Sequence, residues 1–586
     1  MSYQAPLQDM QFVLMDVFKA DQQWQQMPAL ADLIDADTAM AILDEGAKLS
    51  SELLAPINRQ GDEQGVQFND GVVTTPDGFK EAYNVYAESG WAGFGGDPEY
   101  GGMGMPKSLG VLFEEMCYGA NNSFSLYGAL SAGAALCIHS HGSEQQKALY
   151  LPKLYSGEWA GAMDMTEPQS GSDLAGVRTK AVDNGDGTFA ISGTKIFITG
   201  GDQDLTENVV HLVLARLPDA PAGSRGLSLF IVPKMQVNDD GSIGARNGVN
   251  VGAVEHKMGI KASATCVMHF DNATGYLLGK ANRGLVAMFT MMNYERLSIS
   301  LQGIGCAEMG YQMAANYAKD RNQGKGDSQT TGAAQDPIVV HGDVRRMLLT
   351  IAAMTEPSRA LAVMTGMELD KTKFAEEGRK QAEQMVNLLV PLCKAFFTDI
   401  GLDSTVHAQQ VFGGHGYVRE TGVEQLVRDV RIAQIYEGTN GIQALDLLHR
   451  KVLPHDGAAL RALHAEVKQT ISELAECDKA WGETVDSAFN QLLDAALTLK
   501  GNSHLADAVS AAAVDYLHAM GYATYGYLWL KMVNALPASN QSDDFKRRKR
   551  ALAAFYFGRL MPRFDSHLAS AMAPVDLTME LANDLF

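Results

Sequence analysis

The chain has 586 residues, 46% of them hydrophobic and 20% charged, ordinary values that exclude a disordered or fibrous bulk. At ~100–200 residues per domain, this length predicts roughly three to five units able to bury their own cores. Lys and Arg number 47 against 69 Asp and Glu, a formal charge of −22 whose field repels phosphate backbones and argues against nucleic acid as a partner.

Six cysteines (117, 137, 266, 306, 393 and 477) lie far apart, with no CxxC pair and no metal-ligand spacing. They read as buried free thiols in a reducing compartment. The first residues, Met1 to Pro6, carry no secretory pattern, and no run reaches the ~18 apolar residues of a membrane span. A soluble, cytoplasmic protein is the expectation.

In chain order, apolar positions three and four apart predict helices over 38–55, with Thr38 as N-cap, and over 107–119. The Gly- and Pro-rich stretch 91–106 between them predicts turns. The texture changes to strand from about 158 to 280. Runs at 188–191 and 194–199 predict a hairpin around Ser192-Gly193, and further strands are expected at 209–215, 227–232, 249–254 and 265–270. Strands this short and regular suit a small sandwich or barrel. Helical stripes return at 297–319, 344–367, 380–397 and 426–435, with a loop at 323–336, and 460–586 reads as helix throughout. The predicted fold class is α+β, mostly α, in four units: 1–157, 158–281, 282–455 and 456–586.

Two blocks carry chemistry. In Met163-Asp164-Met165-Thr166-Glu167-Pro168-Gln169-Ser170-Gly171-Ser172-Asp173, a strand ends near Thr166 and a Gly-Ser-Asp turn can face an anion; on local pattern alone a plain strand-end turn with an Asx cap is the favoured reading. In Gln434-Ile435-Tyr436-Glu437-Gly438-Thr439-Asn440, a helix ends, Gly438 turns the chain, and Thr439 is placed to cap the next helix. A carboxylate at such an apolar junction is desolvated and becomes a stronger base, unless it merely caps or pairs. No Rossmann or P-loop signature is present.

These blocks, with Pro98-Glu99-Tyr100-Gly101-Gly102-Met103-Gly104 upstream and Gln410-Val411-Phe412-Gly413-Gly414-His415-Gly416-Tyr417 between them, resemble the FAD-dependent acyl-CoA dehydrogenase family. The match in order and spacing runs over roughly 40–450, and the extended C-terminus resembles the family's large bacterial branch, which includes 3-methylthiopropanoyl-CoA dehydrogenases. The resemblance implies an N-terminal helical domain, a middle β-domain, a C-terminal four-helix bundle and one additional helical domain.

It implies FAD contacts from Thr166, Ser172 and Thr199, with Phe197 standing where many members carry Trp. Arg321, Gln410, Gly413 and Gly414 would grip the FAD of a neighbouring subunit, so a homodimer or dimer of dimers is expected, and Thr439 would complete the flavin contacts. Asn440-Gly441 departs from the flavin-contacting Gln of some members, and no contact is carried over there. Glu437 matches the base that removes an α-proton while a hydride leaves the β-carbon for the flavin. Arg296, Tyr436 and Gly438 are the expected acyl-CoA contacts, and an electron-transfer flavoprotein is the expected acceptor.

Tyr294-Glu295-Arg296-Leu297 resembles the segment where a minority of members place the base instead. Having Glu437 as well, the chain makes Glu295 read as a helix-start carboxylate beside Arg296. His415 reads as a turn residue and Glu167 as a partner of nearby N–H groups or Arg178. In the C-terminal extension, the basic run Lys546-Arg547-Arg548-Lys549-Arg550 before 551–557 suits either a membrane surface or an interior helix, and its acidic surroundings favour the latter. The overall reading is an acyl-CoA dehydrogenase acting on 3-methylthiopropanoyl-CoA or a fatty acyl-CoA. The alternatives are a protective, DNA-associated flavoprotein of the alkylation-response kind and an oxidase of the same fold.

Overall fold

The computed structural model describes residues 3–328, 330–505 and 507–586. Met1 and Ser2 of the N-terminal segment, Gln329 of the predicted loop and Ala506 of the predicted helical region lie outside the described residues.

The N-terminal helices include α1 (Ala36–Lys48), α2 (Lys107–Ala120), α3 (Asn122–His141) and α4 (Glu144–Tyr155). The N-cap of α1 is Asp35, not Thr38: the Asp35 carboxylate accepts from the Thr38 N–H, as a capping side chain must reach the third residue inward. Helical backbone then continues past 55 to Gln64.

The main sheet of the β-domain has seven strands, β1 (Trp159–Asp164), β2 (Lys180–Asp183), β3 (Phe189–Thr199), β4 (Asn208–Arg216), β5 (Leu227–Pro233), β6 (Val249–Val254) and β7 (Thr265–Leu278), and a separate two-stranded ribbon pairs Met235–Val237 with Ile243–Arg246. The hydrogen-bonded order is β6-β7-β3-β2-β4-β1, and β5 pairs with both β7 and β4, so the sheet closes on itself as a barrel. The hairpin expected at Ser192-Gly193 is absent. Strand β3 runs straight through, because Gly193 lies flat against Thr179, and the reversal between β2 and β3 falls at 184–188, where Asp183-Asn184-Gly185-Asp186-Gly187 reads as a turn in the sequence.

Four further helices form the bundle: α5 (Gly284–Asp320), α6 (Gly342–Phe374), α7 (Arg379–Val411) and the short α8 (Val423–Arg431). α5 and α7 cross in backbone contact, since a Cβ on Gly303 would stand 2.2 Å from the Phe397 carbonyl oxygen. By length and hydropathy α7 alone among the described residues is apolar enough to cross a membrane, but 78% of its apolar window is buried inside the protein. It is the bundle's central helix.

After α9 (Asn440–Leu445), the extension folds as α10 (Ala458–Ser472), α11 (Lys479–Gly501), α12 (Ala508–Ala535), α13 (Asp543–Phe555) and α14 (Arg563–Ala571). It is helical but not throughout, as the last residues from 580 are exposed and largely irregular. The basic run sits on α13, where Lys549 faces inward while Arg547 and Arg548 are exposed. Lys549 is fully buried and donates to Glu356 at 2.6 Å, Arg548 pairs with the same carboxylate, and Arg550 pairs with Asp478. Lys549 also meets Asp9, which shares the buried Arg359 with Glu115 and Glu308. This cluster joins the N-terminal segment, α2, α5, α6 and α13. Lys549 is thus an interior residue, as the favoured reading of the run expects.

Candidate active site

The barrel and the bundle enclose a cavity of about 1020 Å³. Its β-side wall carries Thr166, Gly171, Ser172, Phe197 and Thr199; its helical wall carries Arg296, Tyr436, Glu437, Gly438 and Thr439. Nine of the thirteen residues singled out in the sequence thus share one space, though they come from segments up to 273 positions apart. The floor closes where the 256–260 loop meets α8: the Ile260 N–H donates to Asp429 at 2.5 Å, and Arg428 reaches the Met258 carbonyl at 3.1 Å.

The β-side turn is locked by a carboxylate. Glu167 accepts from the Arg178 N–H at 2.7 Å, the Thr179 N–H at 3.0 Å, the Thr179 hydroxyl at 2.6 Å and Lys195 Nζ at 2.9 Å. Lys195 and these donors hold its carboxyl down to about 2 against the burial that would raise it. Glu167 is therefore structural, as expected, and its network fixes Thr166 and the 170–173 turn at the cavity mouth. Phe197 adopts a left-handed φ of 60° and keeps 61% of its surface exposed within the cavity wall. An exposed aromatic face held by a strained backbone is an observation that asks for a planar partner.

On the opposite wall Glu437 is also left-handed, at φ 55°. Its carbonyl accepts from Gln443 Nε2 at 3.0 Å, and the next carbonyl, that of Gly438, accepts from Lys394 Nζ at 2.7 Å. Thr439 caps α9 by accepting from the Ile442 N–H. Glu437 Oε2 is shielded from solvent with no hydrogen-bond partner. Burial pushes this carboxyl above its ordinary range, while Arg296 and then Lys394 pull it back. Burial also drives the Lys394 ammonium down to about 7.

Glu295 is not at a helix start. α5 begins eleven residues earlier, so Glu295 lies inside the helix, fully buried, with both oxygens lacking partners. Burial first, and the neighbouring Glu437 second, push it well above the carboxylate range. Tyr436 accepts a hydrogen bond from Gln302 close by.

Beyond them lies an apolar cavity of about 270 Å³, lined among others by Trp91, Phe113, Tyr118, Ala132 and Tyr294. Tyr118 is close enough to Tyr436 and Glu295 to feel their charges.

Arg321, Gln410, Gly413 and Gly414 do not reach the cavity of their own chain. They are exposed at the far ends of α5 and α7, where Tyr317 stacks on Phe412 at 4.2 Å and its hydroxyl meets His415. His415 is a turn residue there. Sequence reasoning missed Lys394, Asp399, Gln434 and Asn440, which brace the Glu437 loop. A solitary lysine inside the apolar run 388–397 was the available signal for the first.

The residues present fit FAD. Hydroxyls of Thr166, Ser172 and Thr199 ring the β-side mouth, the Phe197 face is free for stacking, and the space is large enough for a dinucleotide-sized cofactor. Comparison with known proteins agrees. Family models describing the acyl-CoA dehydrogenase N-terminal, middle and C-terminal domains match residues 37–158, 162–273 and 282–452, and one described as acetyl-CoA dehydrogenase C-terminal like matches 463–582. A 3-methylmercaptopropionyl-CoA dehydrogenase of Ruegeria pomeroyi is 46% identical over 481 residues, 81% of either chain. A butyryl-CoA dehydrogenase of Syntrophomonas wolfei is 34% identical over 94% of this chain and 95% of its own. An acyl-CoA dehydrogenase of Bacillus anthracis solved with FAD shares the fold, with TM-score 0.75 and 22% identity over 93% of this chain and 89% of its own. With the fold, the cavity and these relatives in agreement, the chain belongs to the acyl-CoA dehydrogenases, FAD-dependent oxidoreductases acting on acyl-CoA thioesters.

Proposed function

We propose that the chain dehydrogenates a saturated acyl-CoA to the 2-enoyl-CoA, with Glu437 as the base that removes the α-proton. One observation carries this reading: a cavity-wall carboxyl, shielded and unpartnered at Oε2, on a left-handed residue between two cations. Burial makes it a stronger base than an ordinary carboxylate, and Arg296 and Lys394 keep its ionised form accessible. An α-C–H beside a thioester is a weak acid, so the thioester oxygen must be polarised as enolate character develops. The Glu437 backbone N–H is the donor this chain offers, a contribution of about 3–4 kcal/mol if well aimed.

Thr166, Ser172, Phe197, Thr199 and Thr439 would hold FAD, which when bound supplies the two-electron acceptor for the β-hydride. Arg296, Tyr436 and Gly438 would orient the thioester, and closure around the chain keeps water from the acidic carbon. Arg321, Gln410, Gly413 and Gly414 are exposed and away from their own cavity, which supports a homodimer in which they complete a second copy's site. An electron-transfer flavoprotein is the acceptor in this reading.

The acyl chain in this reading runs past Tyr436 toward the 270 Å³ apolar cavity. A 150 Å³ cavity holds benzene, so this one accepts more than a methylthiopropanoyl tail. Substrates then run from 3-methylthiopropanoyl-CoA to medium-chain acyl-CoA in the cytoplasm.

The test is an anaerobic titration of the purified yellow protein with acyl-CoAs of rising length, including 3-methylthiopropanoyl-CoA, beside the Glu437→Gln variant. Bleaching of the oxidised flavin band by wild type and not by the variant is expected. Equal bleaching by both would remove Glu437 as the base.

A further inference from the structure

The C-terminal domain packs directly on the helices that carry the catalytic loop. α12 lies against α7 and α9 so closely that a Cβ at Gly521 would stand 2.6 Å from the Phe396 ring, and any larger residue would push the helices apart. Phe396 in turn meets the His518 ring edge-on, centroids 5.5 Å apart at 81°. This seats His518 Nε2 2.9 Å from Asp399 Oδ2, across the boundary between the extension and the bundle. His567 of α14 stacks on the other side of His518 at 4.9 Å and is itself held by Asp515 at 2.9 Å.

Asp399 uses its second oxygen twice. Oδ1 accepts from Gln434 Nε2 at 2.6 Å and from Asn440 Nδ2 at 2.7 Å. Gln434 and Asn440 bracket residues 435–439, so one carboxylate ties together both ends of the loop that carries Glu437. Asn440 extends the chain of contacts: its Oδ1 accepts from Lys394 Nζ at 2.9 Å, and the same ammonium donates to the Gly438 carbonyl.

We propose that His518 is a positioning residue for the Glu437 loop, acting from the C-terminal domain through Asp399. The inference rests on Glu437 as the base. A left-handed glutamate persists only while its surroundings over-determine it, and the clamp at 434 and 440 is what does so from behind. His518 touches neither the cavity nor the thioester, yet it orients the one carboxylate that both loop ends share. A misplacement of about 1 Å at a reacting group costs about 10²-fold in rate. The extension is thereby part of the catalytic apparatus as well as of the core.

The experiment compares holoenzyme forms of wild type, His518→Ala, His518→Gln, Asp399→Asn and Glu437→Gln by two readouts. One is amide hydrogen exchange of the 434–440 segment, with the barrel strand 208–216 as reference; the other is the rate of flavin reduction by a saturating acyl-CoA under anaerobic conditions. In His518→Ala, exchange of 434–440 is expected to quicken at least about tenfold with the barrel unchanged, and reduction to slow about 10- to 100-fold. His518→Gln, whose amide N–H can still donate to Asp399, should recover most of both.

Asp399→Asn keeps the side-chain size but loses the charge and one of the two acceptor oxygens, so it cannot accept from His518, Gln434 and Asn440 as the carboxylate does, and should repeat the loosening even if His518→Ala fails to fold. Wild-type exchange and wild-type reduction in His518→Ala or Asp399→Asn would overturn the proposal. So would equal damage in His518→Gln and His518→Ala, which would leave only packing. Were Glu437→Gln to reduce its flavin normally while His518→Ala still loosened the segment, the base reading would fall and the clamp would stand.

Discussion

Lys394 Nζ lies 2.7 Å from the carbonyl oxygen of Gly438, the residue that follows the candidate base. A buried ammonium this close to Glu437 does two things at once: it pins the turn and it favours the ionised carboxylate. Burial brings the Lys394 ammonium down to about 7, so its charge is present below that pH.

Removing the charge, as in Lys394→Met, takes away one of two cations that stabilise ionised Glu437, so the Glu437 carboxyl moves up. The acid limb of kcat/KM is therefore expected to shift to higher pH, with the activity below pH 7 falling most. A pH–rate profile decides the matter, and an unmoved or downward limb contradicts it.

The two glutamates of the site predict opposite mutational outcomes. Burial and then Glu437 push the Glu295 carboxyl well above the carboxylate range, which favours its neutral form, and an amide resembles that form. Glu295→Gln should keep flavin reduction within about threefold, whereas Glu437→Gln should lose at least about 10²-fold, the usual worth of a general base. Stopped-flow reduction of the two variants would reverse the assignment if Glu295→Gln proved the inactive one.

Chain-length preference is expected to answer to Ala132, a small residue on the wall of the 270 Å³ cavity. Ala132→Phe fills part of that space. It should cut kcat/KM for octanoyl-CoA about 10- to 100-fold and change that for 3-methylthiopropanoyl-CoA little, since each excluded methylene is worth about 1–3 kcal/mol. Equal losses on both substrates would place the acyl tail elsewhere.

Stability should hinge on Arg359. Its guanidinium is 1% exposed and serves Asp9, Glu115 and Glu308. Arg359→Met would leave Glu115 and Glu308 without their shared cation and Asp9 with Lys549 alone, with a cost of about 3–5 kcal/mol. Glu115, already pushed up to about 7 by burial, would take up a proton in the variant, so the loss measured by denaturant titration should shrink as pH falls. A variant as stable as wild type would mean the cluster is neutral already.

Much of this was legible in the chain itself. The helix–strand–helix order, the turn at Thr166–Asp173 and the junction at Glu437 follow from local chemistry, because Gly, Pro and capping residues act within a few positions of where they stand. The false hairpin at Ser192-Gly193 shows the boundary of that logic. A Ser-Gly pair permits a turn, but Thr179 lying against Gly193 and partner strands on both sides kept β3 extended. Glu295 likewise reads as a helix-start carboxylate, because nothing within a few residues of it announces that α5 already runs from Gly284.

By itself, then, the sequence determined the family, the order of its domains and the pair of motifs whose residues line the cavity. Those depend on residue type and short spacing. Only the tertiary structure decided how the Glu437 loop is braced, that Lys394 stands behind it, and that His518, 81 positions downstream, reaches the same loop through Asp399. Such contacts depend on how α7, α9 and α12 cross, and helix crossings are set by packing across the whole molecule rather than by any one segment.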